Sequence, residues 1–165
     1  MKSNESSTAQ RVWQRVSPSV PAPGLSERET MLQLIRQLLC DRGLFLRTAS
    51  KLPPAEQLLL HRLAQGYAQE AACLKGVLRL TTGGAVKDPA DLSPTQTLNH
   101  CYRHALTRLT AYSLRTADPL CAPAFRQLEE QTRHHCVTLL QLIGLNDQPS
   151  PKKSHNNANA QSRLP

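Results

Sequence analysis

Two adjacent histidines beside a cysteine form the first feature of the sequence that could do chemistry. They lie in the stretch EEQTRHHC, residues 129–136, inside an apolar run of helical periodicity. Imidazole and thiolate are common ligands of transition metals. A metal-binding helix would also carry a carboxylate three residues before His135, on the same face, but Thr132 stands there. The stretch therefore indicates a lost metal site, a rebuilt one, or a helix that contains two histidines.

A second histidine pair, His100 and His104, is spaced four residues apart on a predicted helix. Two histidines at this spacing can chelate zinc or copper. They lie off the apolar face that carries Cys101 and Ala105, so we expect them to point outward or sideways. This pair is the alternative candidate for a metal site.

Two amphipathic segments form a predicted first hairpin. Ser26 and Glu29 make a capping box that begins the first helix, and its apolar residues then recur at helical spacing. The pair Pro53-Pro54 ends this helix and can begin the second. The second helix is expected to end at Gly83-Gly84.

Two further segments form a predicted second hairpin after a linker of about ten residues. The sequence Ser93-Pro94-Thr95-Gln96 is a second capping box with proline at the first helical position. Asp118-Pro119 separates the third helix from the fourth, and Gly144 is expected to close the fourth. Two antiparallel hairpins joined by a longer crossover predict an all-α, ferritin-like antiparallel four-helix bundle over residues 26–144.

The two ends of the chain differ in composition from this bundle. Residues 1–25 are rich in serine and proline, and residues 145–165 are polar and rich in asparagine. Such segments bury too little apolar surface to offset chain entropy, so both are predicted to be disordered tails. Each carries a net charge of +2, which leaves +4 for the roughly 120 residues between them.

Composition excludes several classes of protein. Lysine and arginine are not clustered, so we expect no binding of nucleic acid. No apolar stretch approaches the length of a membrane span, and the N-terminus has no apolar leader, so we expect a cytoplasmic protein without membrane contact. The five cysteines are an odd number without any C-x-x-C pair, which favours reduced thiols that pack in the core.

The sequence of the second hairpin, CYRHALTRLTAYSLRTADPLCAPAFRQLEEQTRHHCVTLLQLIG, resembles that of rubrerythrin-like proteins of the ferritin-like superfamily. The shared features are a tyrosine-containing third helix, the A-D-P turn and a fourth helix of the form L-x-E-Q-x-R-x-H-C. The stretch LAQGYAQEAACLKGVLRLTTG resembles their second helix, and the resemblance covers about residues 27–144. It implies a bundle that holds two iron or manganese ions between glutamates and histidines.

The resemblance also implies which positions would hold those ions. The ligand positions fall on six residues, one or two from each helix: Leu38, Tyr67, Glu70, Ala105, Thr132 and His135. The four carboxylates expected there are absent, and one histidine position holds Glu70. We therefore interpret the two-metal site as lost. We expect Glu70 to accept hydrogen bonds from His135 and from the hydroxyls of Tyr67 and Thr132 inside the bundle.

Two functions remain open from the sequence. The first is a structural or interaction module without catalysis, cofactor or metal, which acts on a protein partner or pairs with itself, for example as a homodimer. The second is a metal-binding oxidoreductase or iron-storage protein of the rubrerythrin kind, a di-iron peroxidase if it is an enzyme, with an altered set of ligands.

Overall fold

The structure, a computed structural model, describes residues 26–146 of the chain. Four helices account for most of them: α1 (Glu27–Ala49), α2 (Pro54–Thr82), α3 (Leu98–Arg115) and α4 (Ala122–Asn146). The prediction of an all-α protein with two helical hairpins is confirmed. The predicted tails lie outside the described residues, except that α4 continues through Gly144 to Asn146. Gly144 therefore does not end the fourth helix, contrary to the expectation.

The ends of the first hairpin follow from local chemistry. The Ser26 hydroxyl accepts from the backbone N–H of Glu29 at 3.2 Å, and the Glu29 carboxylate accepts from the Ser26 N–H at 2.7 Å. This is the predicted capping box. At the other end, Gly83 adopts a left-handed conformation (φ 71°) and its N–H donates to the Arg79 carbonyl. A residue with a side chain would be strained there, which explains why α2 ends at this glycine.

The start of α3 differs from the prediction. The Ser93 capping box does not form, and Thr97 is the N-cap of a helix that begins several residues later. Thr95 is instead bound to α1, because its N–H donates to the Cys40 carbonyl at 3.1 Å and its hydroxyl donates to Asp41 at 2.6 Å. These tertiary hydrogen bonds hold the segment extended against α1, and they override its local preference for helix.

Residues 83–97, hereafter the crossover, run back along α1 between the two hairpins. Arg36 donates to the Asp91 carbonyl at 3.1 Å, and Arg47 donates to the Thr95 carbonyl at 3.2 Å. Thr95 follows Asp91 in the chain and contacts α1 nearer its C-terminal end, so the crossover runs in the same direction as α1. Such a crossover lets α3 begin at the end of the bundle opposite to the end of α2.

Each helix packs against two neighbours. Besides the contacts within the hairpins, α1 packs against α3 and α2 packs against α4. Asp41 of α1 pairs with His104 of α3, and Glu27 of α1 pairs with Arg115 of α3. Residue numbers thus fall along α1 as they rise along α3. The packed helices are therefore antiparallel. Within the described residues, no helix is long and apolar enough to cross a membrane.

The cysteines lie where small apolar residues would. Cys101, Cys121 and Cys136 are buried, Cys40 and Cys73 are half-buried, and all five are free thiols. Burial raises the pKa of the Cys101 thiol far above its ordinary value. Such a thiol stays protonated at neutral pH, which agrees with the prediction that cysteines here serve packing.

Candidate functional site

The six positions matched to metal ligands all face the interior. Leu38, Tyr67, Glu70, Ala105 and Thr132 are fully buried, and the His135 side chain is 14% exposed. Four of the six contact one another directly between α2 and α4: Tyr67, Glu70, Thr132 and His135. Leu38 and Ala105 belong to the surrounding apolar core. The periodicity of the sequence thus identified the inward faces of all four helices.

Glu70 is the acceptor that joins α2 to α4. Its Oε1 lies 2.9 Å from the Thr132 hydroxyl and 2.8 Å from Nδ1 of His135. An ionised carboxylate only accepts, so the His135 nitrogen must be the donor. The Thr132 hydroxyl also lies 2.8 Å from the Leu128 carbonyl, and its single proton is shared between the two acceptors. The hydrogen bonds predicted from His135 and Thr132 to Glu70 are therefore present.

Tyr67 does not complete this network as predicted. Its buried hydroxyl has no hydrogen-bond partner among the described residues, and burial raises the pKa of that hydroxyl, which stays protonated. The ring provides the contacts instead. Phe45 meets it edge-on at 4.9 Å between centroids, and the Arg108 guanidinium lies 4.5 Å from its centroid. Tyr67 thus contributes packing and a cation–π contact.

Arg108 of α3 is a central residue that the sequence reasoning missed. Its side chain is fully buried, with Nη1 3.4 Å from Oδ2 of Asp41 and Nε 3.3 Å from Oε2 of Glu70. The second contact is an ion pair without a hydrogen bond, because the N–H does not point at the oxygen. Desolvation acts to lower the pKa of Arg108, but neighbours that include Tyr67 and Glu70 outweigh it and raise the pKa. The guanidinium therefore carries a permanent charge.

Asp41 was also missed, together with its contact to His104. The buried Asp41 carboxylate lies 2.8 Å from Nδ1 of His104, which is only 31% exposed. His104 therefore points sideways, towards Asp41 of α1, and not out into the solvent. His100 is exposed, and its Nδ1 lies 2.9 Å from the Thr97 hydroxyl. The two histidines of this pair are thus engaged by different partners.

Two carboxylate–imidazole bridges consequently connect the hairpins. Asp41 and His104 join α1 to α3, and Glu70 and His135 join α2 to α4. Arg108 contacts both carboxylates and lies between the two bridges. We refer to the following residues as the core network: Asp41, Glu70, His104, Arg108, Thr132 and His135. It links all four helices.

A glycine on α2 makes room for one of these bridges. A Cβ added to Gly66 would lie 2.8 Å from Cε1 of His135 and closer still to its Nε2. Real Cβ atoms do not approach a neighbour this closely, so the imidazole would have to move. Gly66 therefore permits the His135 imidazole to approach the backbone of α2 closely while its Nδ1 reaches Glu70.

The residues present do not fit a two-metal centre. Glu70 and His135 are the only conventional ligands among the six positions, and they are bonded to each other. Asp41, one turn from Leu38, is bonded to His104, Thr95 and Arg108. A fixed guanidinium between the carboxylates repels cations. Across residues 26–146, no three or more His, Cys, Asp and Glu side chains converge as a metal site would require.

A signal for the missed residues is present in the sequence. Asp41 continues the apolar spacing of Leu34 and Leu38, and Arg108 falls on the inward stripe between Ala105 and Tyr112. A charged residue on an apolar stripe must be paired if the helix is buried, and one residue of each sign on two such stripes predicts a pair.

No protein-family model, curated protein or solved structure matches the chain closely enough to assign it to a family.

Proposed function

We propose that this chain is a ferritin-like bundle of the rubrerythrin type in which a protein-only charge network stands in place of two metal ions, and that it serves as a structural or interaction module. Antiparallel neighbouring helices and a crossover that returns along α1 support the ferritin-like assignment. Five of the six positions matched to ligands by resemblance are fully buried, and the His135 side chain is 14% exposed. The proposal needs no catalytic group, cofactor or metal.

The observation that carries this proposal is the placement of Arg108. In a two-metal bundle, glutamates neutralise the positive charge of the ions, and the ions in turn hold the helices together. Here one guanidinium lies within 3.4 Å of a carboxylate from α1 and a carboxylate from α2, and no atom of any of the three side chains is exposed. The charge that a metal would supply is thus supplied by the chain itself.

The function of such a module is binding, to a protein partner or to a second copy of the chain. The net charge of +4 over the middle of the chain is spread thinly, which disfavours nucleic acid. Catalysis is disfavoured by the same side chains that form the core network. Asp41, Glu70 and Arg108 are fully buried, so no substrate can contact these charged groups without a rearrangement of the core.

The metal content of the purified full-length chain tests this proposal. Cells are grown with added iron, manganese and zinc, and the protein is analysed by mass spectrometry and by thermal melting with and without a chelator. We expect substoichiometric metal and an unchanged melting temperature, because an ion that bound the folded state would stabilise it. One or two ions per chain would instead support a metal-binding oxidoreductase or storage protein.

A variant separates core metal from surface metal in this experiment. His100→Ala breaks the alternative histidine pair at its exposed member and leaves the core network, which includes His104, in place. Zinc that disappears with this variant comes from the histidine pair of α3. Iron or manganese that persists in it at one or more ions per chain comes from elsewhere and overturns the proposal.

A further inference from the structure

A groove of about 710 Å³ lies between α1 and the crossover, and none of its lining residues belongs to the core network. One wall consists of residues from the first three turns of α1, and the other consists of residues from the first part of the crossover. They are Arg28, Leu32, Gln33, Arg36, Ala85, Val86, Lys87 and Pro89. The volume lies within the range of sites that bind small organic ligands, about 300–1,000 Å³.

The lining of the groove divides into an apolar floor and a cationic rim. Leu32 and Val86 are half-buried and pack against the hydrophobic core. Arg28, Arg36 and Lys87 surround this floor, and no acidic side chain lines the groove. A surface of this kind complements a molecule with an apolar body and an anionic head.

The three cations lack carboxylate partners within residues 26–146. The acidic residues nearest to them in sequence are each engaged elsewhere. Glu27 pairs with Arg115, Glu29 accepts from Ser26, and Asp88 pairs with Lys75. Arg36 donates one hydrogen bond to the Asp91 carbonyl, and Arg28 and Lys87 have no hydrogen bond there. Within these residues the three rim cations therefore form no ion pair, and neither does Asp91, whose carbonyl accepts from Arg36.

We propose that this groove binds an amphipathic organic anion, with the apolar part on Leu32 and Val86 and a carboxylate or phosphate head at Arg28 and Lys87. The tails of the chain are poor occupants, because residues 1–25 and 145–165 each carry a charge of +2, the same sign as the rim. The proposal concerns a site apart from the core network and does not depend on the function proposed above.

Titration calorimetry of the full-length chain tests this site with decanoate and decyl phosphate, both below their micellar concentrations. Neutral 1-decanol, which has the same apolar length, is the comparator. We expect both anions to bind at one site per chain and decanol to bind at least about tenfold more weakly, as expected if the head group contacts two cations. Stronger binding of one anion identifies the preferred head group. Equal binding of decanol, or no binding of either anion, overturns the proposal.

Matched variants locate the site. Arg28→Gln with Lys87→Gln removes two rim charges, and Arg62→Gln with Arg126→Gln removes two exposed charges from α2 and α4. We expect the first pair to weaken decanoate binding at least about tenfold and the second to leave it within about twofold. Ala85→Trp should block the groove without touching a charge. An equal loss in both charge pairs, or full binding by Ala85→Trp, contradicts the assignment.

An acidic peptide separates amphipathic recognition from attraction by charge alone. Hexaglutamate carries more negative charge than decanoate and has no apolar body. We expect it to bind more weakly than decanoate at moderate salt, because screened surface attraction contributes little. Tighter binding of the peptide than of decanoate would show that the groove is not a site for a small amphipathic anion.

Discussion

The guanidinium of Arg108 lies 3.3 Å from the carboxylate of Glu70, and both side chains are fully buried. The residues come from different hairpins, since Arg108 belongs to α3 and Glu70 to α2. Removing two charges from water costs several kcal/mol per ion, and attraction across a dry core offsets that cost only when every charge is matched. The packing of one hairpin on the other therefore depends on keeping this network complete.

Arg108→Met should destabilise the bundle by about 3–5 kcal/mol, because it leaves Asp41 and Glu70 as buried carboxylates without a cation. Urea denaturation followed by circular dichroism measures this loss. The triple variant Arg108→Met, Asp41→Asn, Glu70→Gln removes all three charges and keeps acceptors for both imidazoles. The triple variant should recover more than half of the free energy of unfolding that Arg108→Met loses.

Two outcomes would contradict this account of Arg108. A single variant that is as stable as the parent would show that the buried guanidinium is not needed to neutralise the carboxylates. A triple variant that is less stable than the single variant would show that the charges themselves, and not only their balance, hold the hairpins together.

Thr132→Val should cost about 1–3 kcal/mol, since it keeps the volume of the side chain but removes the 2.9 Å hydrogen bond to buried Glu70. Thr138→Val is the matched control on the same helix. The Thr138 hydroxyl bonds only the carbonyl of His134 within α4, so its loss should change the free energy of unfolding by less than about 0.5 kcal/mol. Equal costs at the two sites would rule out a special role for Thr132.

Gly66→Ala and Gly76→Ala should have opposite signs, although both glycines lie inside α2. An added methyl at Gly76 meets nothing within 4 Å, so alanine should stabilise the helix by about 0.5–1 kcal/mol. At Gly66 the methyl displaces the His135 imidazole and breaks its bond to Glu70, at a cost of about 1–3 kcal/mol. Chemical denaturation of the two variants gives the sign of each change in the free energy of unfolding.

A double variant tests the cause assigned to Gly66. Once His135→Ala has removed the imidazole, the methyl of Gly66→Ala no longer has a ring to displace. The cost of the double variant should then be smaller than the sum of the two single costs. Additive costs would mean that the strain at Gly66 arises from another neighbour.

The local signals in the sequence predict the helices well where no tertiary contact competes. The Ser26 capping box and the Gly83 terminus involve only residues within one turn, and both form as expected. The Ser93 capping box is an equally good local signal, yet it fails because Thr95 binds Asp41 and Cys40 across the bundle. The sequence order carries no direct sign of that contact, since 54 residues separate Thr95 from Asp41.

The core network was predictable only in part, because the sequence shows spacing within a helix but not contacts between helices. The resemblance directed attention to six ligand positions and implied that Glu70 faces Thr132 and His135, which share one face of α4 through their spacing of three residues. Arg108 and Asp41 lie on the same inward stripes but outside the matched positions. Their pairing depends on how α1 faces α3, which periodicity of a single helix does not determine.

Glu29→Gln should change the pH dependence of stability on the acid side. The hydrogen bond from the Ser26 backbone N–H, followed by the Ser26 side chain, lowers the pKa of Glu29 below its ordinary value. Because the folded pKa is lower than the unfolded one, the stabilisation from the ionised carboxylate is fully present above the unfolded pKa of about 4.3. It is lost as the pH falls through the folded pKa.

The free energy of unfolding of the parent and of Glu29→Gln, measured by urea denaturation between pH 7 and pH 2.5, checks this prediction. The difference between the two should be constant near neutrality and vanish at the acid end, because a protonated Glu29 resembles the glutamine. Glu56→Gln, in the first turn of α2, provides a control that has no capping hydrogen bond among the described residues. A difference for Glu29→Gln that grew on acidification would reverse the sign and contradict the assigned role of the Ser26 N–H.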